Sequence, residues 1–179
     1  MDDVLNKSLF LVKEHVGLFK AANNFDIYDP STGKIVMECR EPTLGFFTKI
    51  LRFDSRYKKM TPFDIQIRTP DGKRIIRIKR GVSFFLSNVI VTDDNNHPIG
   101  KFRQKNLFSI SGEFDVLDKS DQMICQLEGK WTGWDFYFKH NTKELAHVSK
   151  KWAGLGKEMF TSADNYILKI SNDVPQNDD

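Results

Sequence analysis

Cysteine is scarce in this sequence, and long apolar runs are missing from it. Only Cys39 and Cys125 occur among 179 residues. Each sits in an apolar strand pattern, so we expect two reduced, buried thiols rather than the disulfide framework of a secreted domain. No apolar run approaches the roughly 20 residues of a membrane-spanning helix. The N-terminal MDDVLNKSLFLVKEH is too acidic, and too often interrupted by Lys, for a signal peptide. The sequence predicts a soluble cytoplasmic protein with no transmembrane segment.

Catalytic and cofactor motifs are missing as well. His15, His97, His140 and His147 are scattered over turns and strand ends without the paired spacing of metal ligands. No Gly-rich phosphate loop follows a strand, and no nucleophile elbow is present. The GLGK run that begins at Gly154 has no other part of a P-loop. We therefore predict a protein that is not an enzyme and that holds no cofactor.

Apolar residues are plentiful, and they alternate with polar ones. Hydrophobic residues make up 40% of the chain and include 15 Phe, enough for one large core. Alternation in short runs bounded by Asp, Asn, Gly, Pro or Ser is typical of β-strands joined by turns. We predict an all-β fold of about twelve strands. The predicted strands are Ser8–His15, Phe25–Tyr28, Lys34–Glu41, Phe63–Arg68, Arg74–Arg80, Asn88–Thr92, Ile99–Gln104, Ser109–Leu117, Met123–Lys130, Trp134–Phe138, Glu144–Lys151 and Tyr166–Ser171.

The strands form hairpins that resemble one another. FDIYDPSTGKIV, FDIQIRTPDGKRII, VIVTDDNNHPIG, FDVLDKSDQMIC and FYFKHNTKELAHV each place a polar turn between an aromatic or branched strand and a second strand. A large antiparallel sheet of this kind closes to remove its edges, so we predict a β-barrel in one domain, residues 1–171. Pro42–Tyr57 has apolar spacing near that of a helical turn, Gly154–Thr161 is irregular, and residues 172–179 are predicted to be a polar, disordered tail.

Two segments of the chain resemble a known family. HVSKKWAGLGKEMFTSADNYILKI, residues 147–170, resembles the C-terminal motif of phospholipid scramblases, in which Ser-Lys, Trp, Gly, Glu, Phe-Thr and Ala-Asp-Asn-aromatic recur in this order. LVKEHVGLFKAANNFDIYDPSTGKIV, residues 11–36, resembles the bacterial scramblase-related proteins and the plant LURP-one-related proteins. The resemblance implies a tubby-like architecture, a closed barrel of about twelve strands threaded by one hydrophobic C-terminal helix.

The expected apolar helix does not follow Ile170 in this sequence. A barrel of this size has more interior than inward side chains readily fill, and voids in a core are unfavourable. Three explanations stay open at this point. The chain is cut before the helix, the barrel is filled by its Phe side chains, or a molecule from outside occupies the lumen.

Basic residues concentrate in the middle of the chain. Residues 49–105 hold 14 Lys and Arg against 5 Asp and Glu, a net charge of +9, and the rest of the chain has a net charge of −6. Alternation puts Arg77 with Lys79 on one strand face, and Lys101, Arg103 and Lys105 on another. If those strands are neighbours, they form a cationic surface. Further basic residues of the adjoining loop are Arg52, Arg56, Lys58 and Lys59.

Several partners fit such a surface. Anionic lipid headgroups attract basic side chains, and the phosphoinositide binding of tubby-like domains points the same way. A phosphorylated or otherwise acidic protein partner is an alternative, and charges that serve only solubility are another. Nucleic acid is disfavoured, because it requires exposed aromatic residues among the basic ones, and Phe84, Phe85 and Phe102 alternate like core residues.

A calcium site is a weaker hypothesis, since scramblases carry an acidic motif at the Ala-Asp-Asn strand. Family positions that hold Asp and Gly are Ser162 and Ile167 here. Only Asp164, Asn165 and Asp173 offer oxygen ligands, and an alternating strand cannot wrap an ion as an EF-hand loop does. We therefore expect no metal.

Two functions follow from these observations. The first is a non-catalytic binding module, peripheral to a membrane, that docks through Arg77, Lys79, Lys101 and Arg103. The second is lipid handling in the manner of a phospholipid scramblase, in which an apolar lumen or the missing helix engages acyl chains or the bilayer.

Overall fold

Twelve antiparallel strands form one closed β-barrel. The structure, a computed structural model, describes residues 4, 6–14, 24–42, 61–81, 88–105, 113–130, 133–150, 165–172 and 174. The barrel is closed because β1 pairs with both β2 and β12, and every other strand pairs with its neighbours in sequence. The prediction of an all-β barrel of about twelve strands is confirmed. The strands are β1 Leu9–Glu14, β2 Phe25–Tyr28, β3 Ile35–Arg40, β4 Phe63–Arg68, β5 Arg74–Arg80, β6 Asn88–Thr92, β7 Pro98–Gln104, β8 Phe114–Asp118, β9 Met123–Lys130, β10 Asp135–His140, β11 Lys143–Ser149 and β12 Asn165–Ile170.

Five strands, β2, β4, β5, β6 and β9, begin and end where the sequence pattern places them. The clearest difference is at β10, which was expected to start at Trp134 and to end at Phe138. Trp134 has a φ of 49°, in the left-handed region, and therefore belongs to the turn before the strand. Asn141 also has a positive φ of 55°, so a two-residue turn lets β10 continue to His140.

The barrel interior is apolar all the way round. Residues paired across antiparallel strands share one face of the sheet, so the register traces the inward row from strand to strand. Phe10 pairs with Leu168, and Val12 pairs with Ile27, which pairs with Met37. Phe10, Ile27 and Met37 are buried and form the core cluster. The same inward face continues from strand to strand, although not every pair of these residues is directly opposite: it carries Ile65, Ile78, Val91, Phe102, Val116, Leu127, Phe138 and Val148.

A β-bulge follows the turn in five hairpins. These hairpins are β2–β3, β4–β5, β6–β7, β8–β9 and β10–β11. In every case the pairing skips one residue of the second strand, and that residue is apolar. Bulges increase the local twist and bend of a sheet, and closure into a barrel requires both. The resemblance among the hairpin sequences therefore has a structural cause. The five bulge residues are Val36, Ile75, Ile99, Ile124 and Leu145.

Aspartate side chains fix three of the hairpin turns. Asp29 accepts a hydrogen bond from the backbone N–H of Ser31 at 2.8 Å, and Asp93 accepts one from that of Asn95 at 2.9 Å. Asp118 accepts one from Ser120 at 2.7 Å. These hydrogen bonds between the Asp side chains and the backbone stabilise the turns, which is the usual role of Asp in tight turns.

Both cysteines are unpaired thiols, as expected, but they differ in burial. Cys125 is buried and Cys39 is only half-buried. Desolvation raises the pKa of the Cys39 thiol to about 11 and also raises the pKa of Cys125. Neither thiol is therefore a reactive thiolate at neutral pH.

Some sequence predictions fall on residues that the structure does not describe. They are the helical turn in 43–57, the irregular segment 154–161 and most of the tail after residue 172. The described residues contain no helix, and therefore none that could cross a membrane.

Candidate functional site

The basic residues singled out in the sequence lie on two strands that are not direct neighbours. Arg77 and Lys79 belong to β5, Lys101 and Arg103 belong to β7, and Lys105 follows β7 directly. Strand β6 lies between the two. The remaining four candidates, Arg52, Arg56, Lys58 and Lys59, lie outside the described residues.

The register of β6 nevertheless aligns the two sets. Lys79 pairs with Ile90, and Ile90 pairs with Lys101, so the three residues form one row across β5, β6 and β7. The row lies on the outer face, because the residues next to it in sequence belong to the inward row. Strands are about 4.8 Å apart, which places the backbones of the two lysines about 10 Å apart.

Arg77 is held by a carboxylate of the preceding strand. Its Nε donates to Oδ1 of Asp64 at 2.8 Å, and its Nη2 donates to Oδ2 of the same residue at 2.5 Å. This two-point contact lowers the pKa of Asp64 and raises that of Arg77, through hydrogen bonding to the charged forms. The contact neutralises much of the charge that Arg77 would present.

Other carboxylates offset three more of the cations. Lys101 lies 2.5 Å from Oδ1 of Asp121. Asp115 lies between two cations, with Arg103 at 3.2 Å and Lys105 at 3.4 Å. Five cations thus face three acids on this surface, a net charge of +2. Within the described part of the chain, exposed Lys79 forms no ion pair.

Comparison with known proteins identifies the family. A model of the Scramblase family matches residues 8–178. The chain belongs to the scramblase family. The match spans all twelve strands, so the predicted relationship to scramblases is confirmed. The search of curated proteins and the search of solved structures found no match.

Sequence reasoning missed the acids that offset the basic residues of this scramblase-family barrel. A signal for them exists in the repeated Phe-Asp pair that opens three strands, at Asp26, Asp64 and Asp115. Each of these aspartates forms an ion pair with an Arg of an adjacent strand, and Asp26 does so with Arg40 at 2.5 Å.

A second polar cluster on the scramblase-family barrel was also missed. His147 Nε2 lies 2.5 Å from Oδ1 of Asp135, and the Tyr137 hydroxyl donates to Oδ2 of that residue at 3.3 Å. The Tyr137 ring stacks on the His147 ring with centroids 4.2 Å apart. His147 is 12 positions from Asp135 and 10 from Tyr137, so only the β10–β11 pairing brings it to them.

The calcium hypothesis falls largely outside the described part of the scramblase-family chain. Asn165 is the first residue of β12, where it is buried opposite Lys13. Asp164 and Asp173 are not among the described residues. In the part that is described, no three His, Cys, Asp or Glu residues are grouped to hold a metal ion.

Proposed function

We propose that this scramblase-family barrel is a non-catalytic binding module that docks on anionic lipid headgroups through the outer face of β5, β6 and β7. The observation that carries the proposal is the row in which Lys79 and Lys101 flank Ile90. Each basic side chain near an anionic bilayer is worth about 1 kcal/mol, and a surface with excess positive charge is attracted to it.

A nucleic-acid ligand would require exposed aromatic residues beside the lysines. The described residues of this face include none. Phe102 belongs to the inward row and packs edge-to-face on Phe138 with ring centroids 6.5 Å apart. Trp134 is the exposed aromatic residue of the described chain, and it precedes β10, four strands away from β6. Bases would find no stacking platform beside the lysines.

The proposal is tested by sedimentation with phosphatidylcholine vesicles that contain or omit phosphatidylserine. We expect binding only to the anionic vesicles, with an affinity that falls steeply as salt is raised. The double variant Lys79→Ala/Lys101→Ala should lose about fivefold in affinity per lysine. The matched control is Lys34→Ala/Lys119→Ala, which removes two exposed turn lysines and should change affinity far less. Equal binding to neutral vesicles, or no binding at all, contradicts the proposal.

Family membership favours a second candidate, the transfer of phospholipids between leaflets. A dithionite assay on vesicles with fluorescent headgroups and the purified chain separates the two candidates. The docking proposal expects transfer at the rate of protein-free vesicles. Faster transfer would make lipid handling the function of this barrel.

A further inference from the structure

Ile90 is an exposed apolar side chain at the centre of the basic surface. It is 48% exposed. Lys79 and Lys101 lie directly opposite it on the two neighbouring strands. Arg77 and Arg103 are its diagonal neighbours, because they pair with the residues two positions away along β6, Thr92 and Asn88. Four cations therefore surround one isoleucine.

Exposed isoleucines are common on proteins, and a β-branched residue suits a strand, so exposure alone carries no inference. The setting of Ile90 differs from that of the other exposed aliphatic residues in the described chain. Ile35 and Met123 begin their strands, and Ile99 and Ile124 are bulge residues beside turns. Ile90 is the middle residue of β6.

The residues around Ile90 place no acid beside it. Its neighbours along the outer face of β6 are uncharged Asn88 and Thr92. The nearest carboxylate in its row is Asp64, beyond Lys79, and that group is held by Arg77. Asp121 is likewise held by Lys101 at 2.5 Å, and Asp115 is held by Arg103. Each carboxylate near Ile90 is therefore paired with a cation, and the face keeps its net charge of +2.

We propose that Ile90 inserts into the boundary between headgroups and acyl chains when the barrel docks on an anionic bilayer. The inference rests on the proposed docking function and adds an apolar anchor to it. Lysines carry their charge on long, flexible apolar stems, so Lys79 and Lys101 can bend back and keep their ammonium groups at the phosphates while the isoleucine between them faces the acyl chains. Charge brings the surface to the membrane, and burial of the apolar side chain holds it there.

The test compares Ile90→Ala with Ile124→Ala in the vesicle sedimentation assay. Ile124 is a matched control because it is 47% exposed and lies next to the β8–β9 turn. Loss of the buried methyl and methylene groups should weaken binding of Ile90→Ala by about three- to tenfold. This ratio should persist at raised salt, since apolar burial is not screened. Ile90→Thr keeps the branched Cβ and supplies a second variant if Ile90→Ala folds poorly.

Insertion depth is measured separately with Ile90→Trp and vesicles whose acyl chains carry bromine. We expect quenching beyond that of the wild-type tryptophans. Three outcomes distinguish the ideas. Selective weakening of the Ile90 variants together with quenching supports insertion. Equal binding by the Ile90→Ala and Ile124→Ala variants, or quenching no greater than in the wild type, overturns insertion and leaves docking intact. If the wild type does not bind anionic vesicles, both proposals fail. That result is expected if the ligand of this surface is an acidic protein.

Discussion

The aspartates that follow Phe at the start of a strand control how much positive charge the barrel presents. Asp64 accepts hydrogen bonds from two nitrogens of Arg77. Asp115 lies within ion-pair distance of Arg103 and Lys105. Such partly exposed pairs add little to folding stability, with typical values of about 1 kcal/mol or less. Their main effect on this surface is on its net charge.

Removing one of these acids should therefore strengthen docking. Asp64→Asn releases Arg77 and raises the net charge of the face by one, so we expect an increase in affinity for phosphatidylserine vesicles of up to about fivefold. Asp26→Asn is the control, because it makes the same charge change on β2, four strands from β6. An equal gain in both variants would mean that overall charge, rather than this face, attracts the vesicle.

Asp29 predicts a pH dependence of folding stability. Hydrogen bonds from the Ser31 hydroxyl at 2.6 Å, the Lys7 ammonium at 2.9 Å and the Ser31 amide hold the pKa of this carboxyl well below its usual value. A lowered folded-state pKa stabilises the fold above the unfolded pKa of about 3.9, and this contribution is lost as pH falls through the lower folded value.

Urea unfolding at a series of pH values tests this prediction. Asp29→Asn should be less stable than the wild type at neutral pH, and the difference should narrow below about pH 4. Asp94→Asn, in the exposed β6–β7 turn, should show a smaller loss. A difference for Asp29→Asn that does not change with pH would show that charge plays no part in this turn.

At the scale of elements, the hairpin is the unit that the chain repeats. Each hairpin from β2–β3 to β10–β11 combines a polar turn with an apolar bulge residue in its second strand. The turn determines which residues pair, and the bulge supplies twist, so five similar hairpins accumulate the curvature that brings β1 to β12. Packing of the inward-facing side chains also requires neighbouring strands to approach each other closely at particular positions.

Gly129 marks one such approach, in the β9–β10 ladder. It pairs with Phe136, and a Cβ at position 129 would meet the Phe136 ring at 2.7 Å and the carbonyl oxygen of Asp135. Gly129→Ala should therefore destabilise the barrel by about 1–3 kcal/mol through overpacking. Gly81→Ala is the control, since a Cβ there has open space. Thermal or urea unfolding measures the difference, and equal midpoints would contradict the close approach.

At the scale of the whole molecule, closure depends on the pairing of the first strand with the last. Leu11 on β1 pairs with Ile167 on β12 and with Tyr28 on β2. Leu11 and Ile167 are 0% and 1% exposed, so the closing seam is among the best-buried parts of the described chain. Loss of this seam would open the sheet and expose two strand edges.

Leu11→Ala should lower the free energy of unfolding by about 2–5 kcal/mol, the usual cost of a cavity at a fully buried leucine. Urea unfolding should still show one cooperative transition, at lower urea, because the strands form a single closed sheet. Ile124→Ala, at an exposed site, should change the midpoint little. A comparable shift in both variants would contradict the role of the seam.

Local patterns were enough to predict most of the fold. Alternation with a period of two and turn residues such as Pro70-Asp71-Gly72 depend on neighbouring residues only, so the strands and their number could be predicted from the sequence. The exceptions arise where a residue adopts a backbone conformation that its type does not predict, such as the positive φ of Trp134. Closure of the barrel followed from the need to pair sheet edges and from the family resemblance.

The sequence alone determined the residue types, the alternation of apolar and polar residues along the strands, and the excess of positive charge in residues 49–105. Only the tertiary structure decided which charges meet. The register aligned Lys79 and Lys101 across Ile90, although the two lysines are 22 positions apart in sequence. The fold also placed Asp64 against Arg77, 13 positions away. Strand register is a non-local quantity, because it depends on turn length, bulges and the packing of the inward row together. For that reason the cations were visible in the sequence, whereas their neutralising partners and the apolar centre of the surface were not.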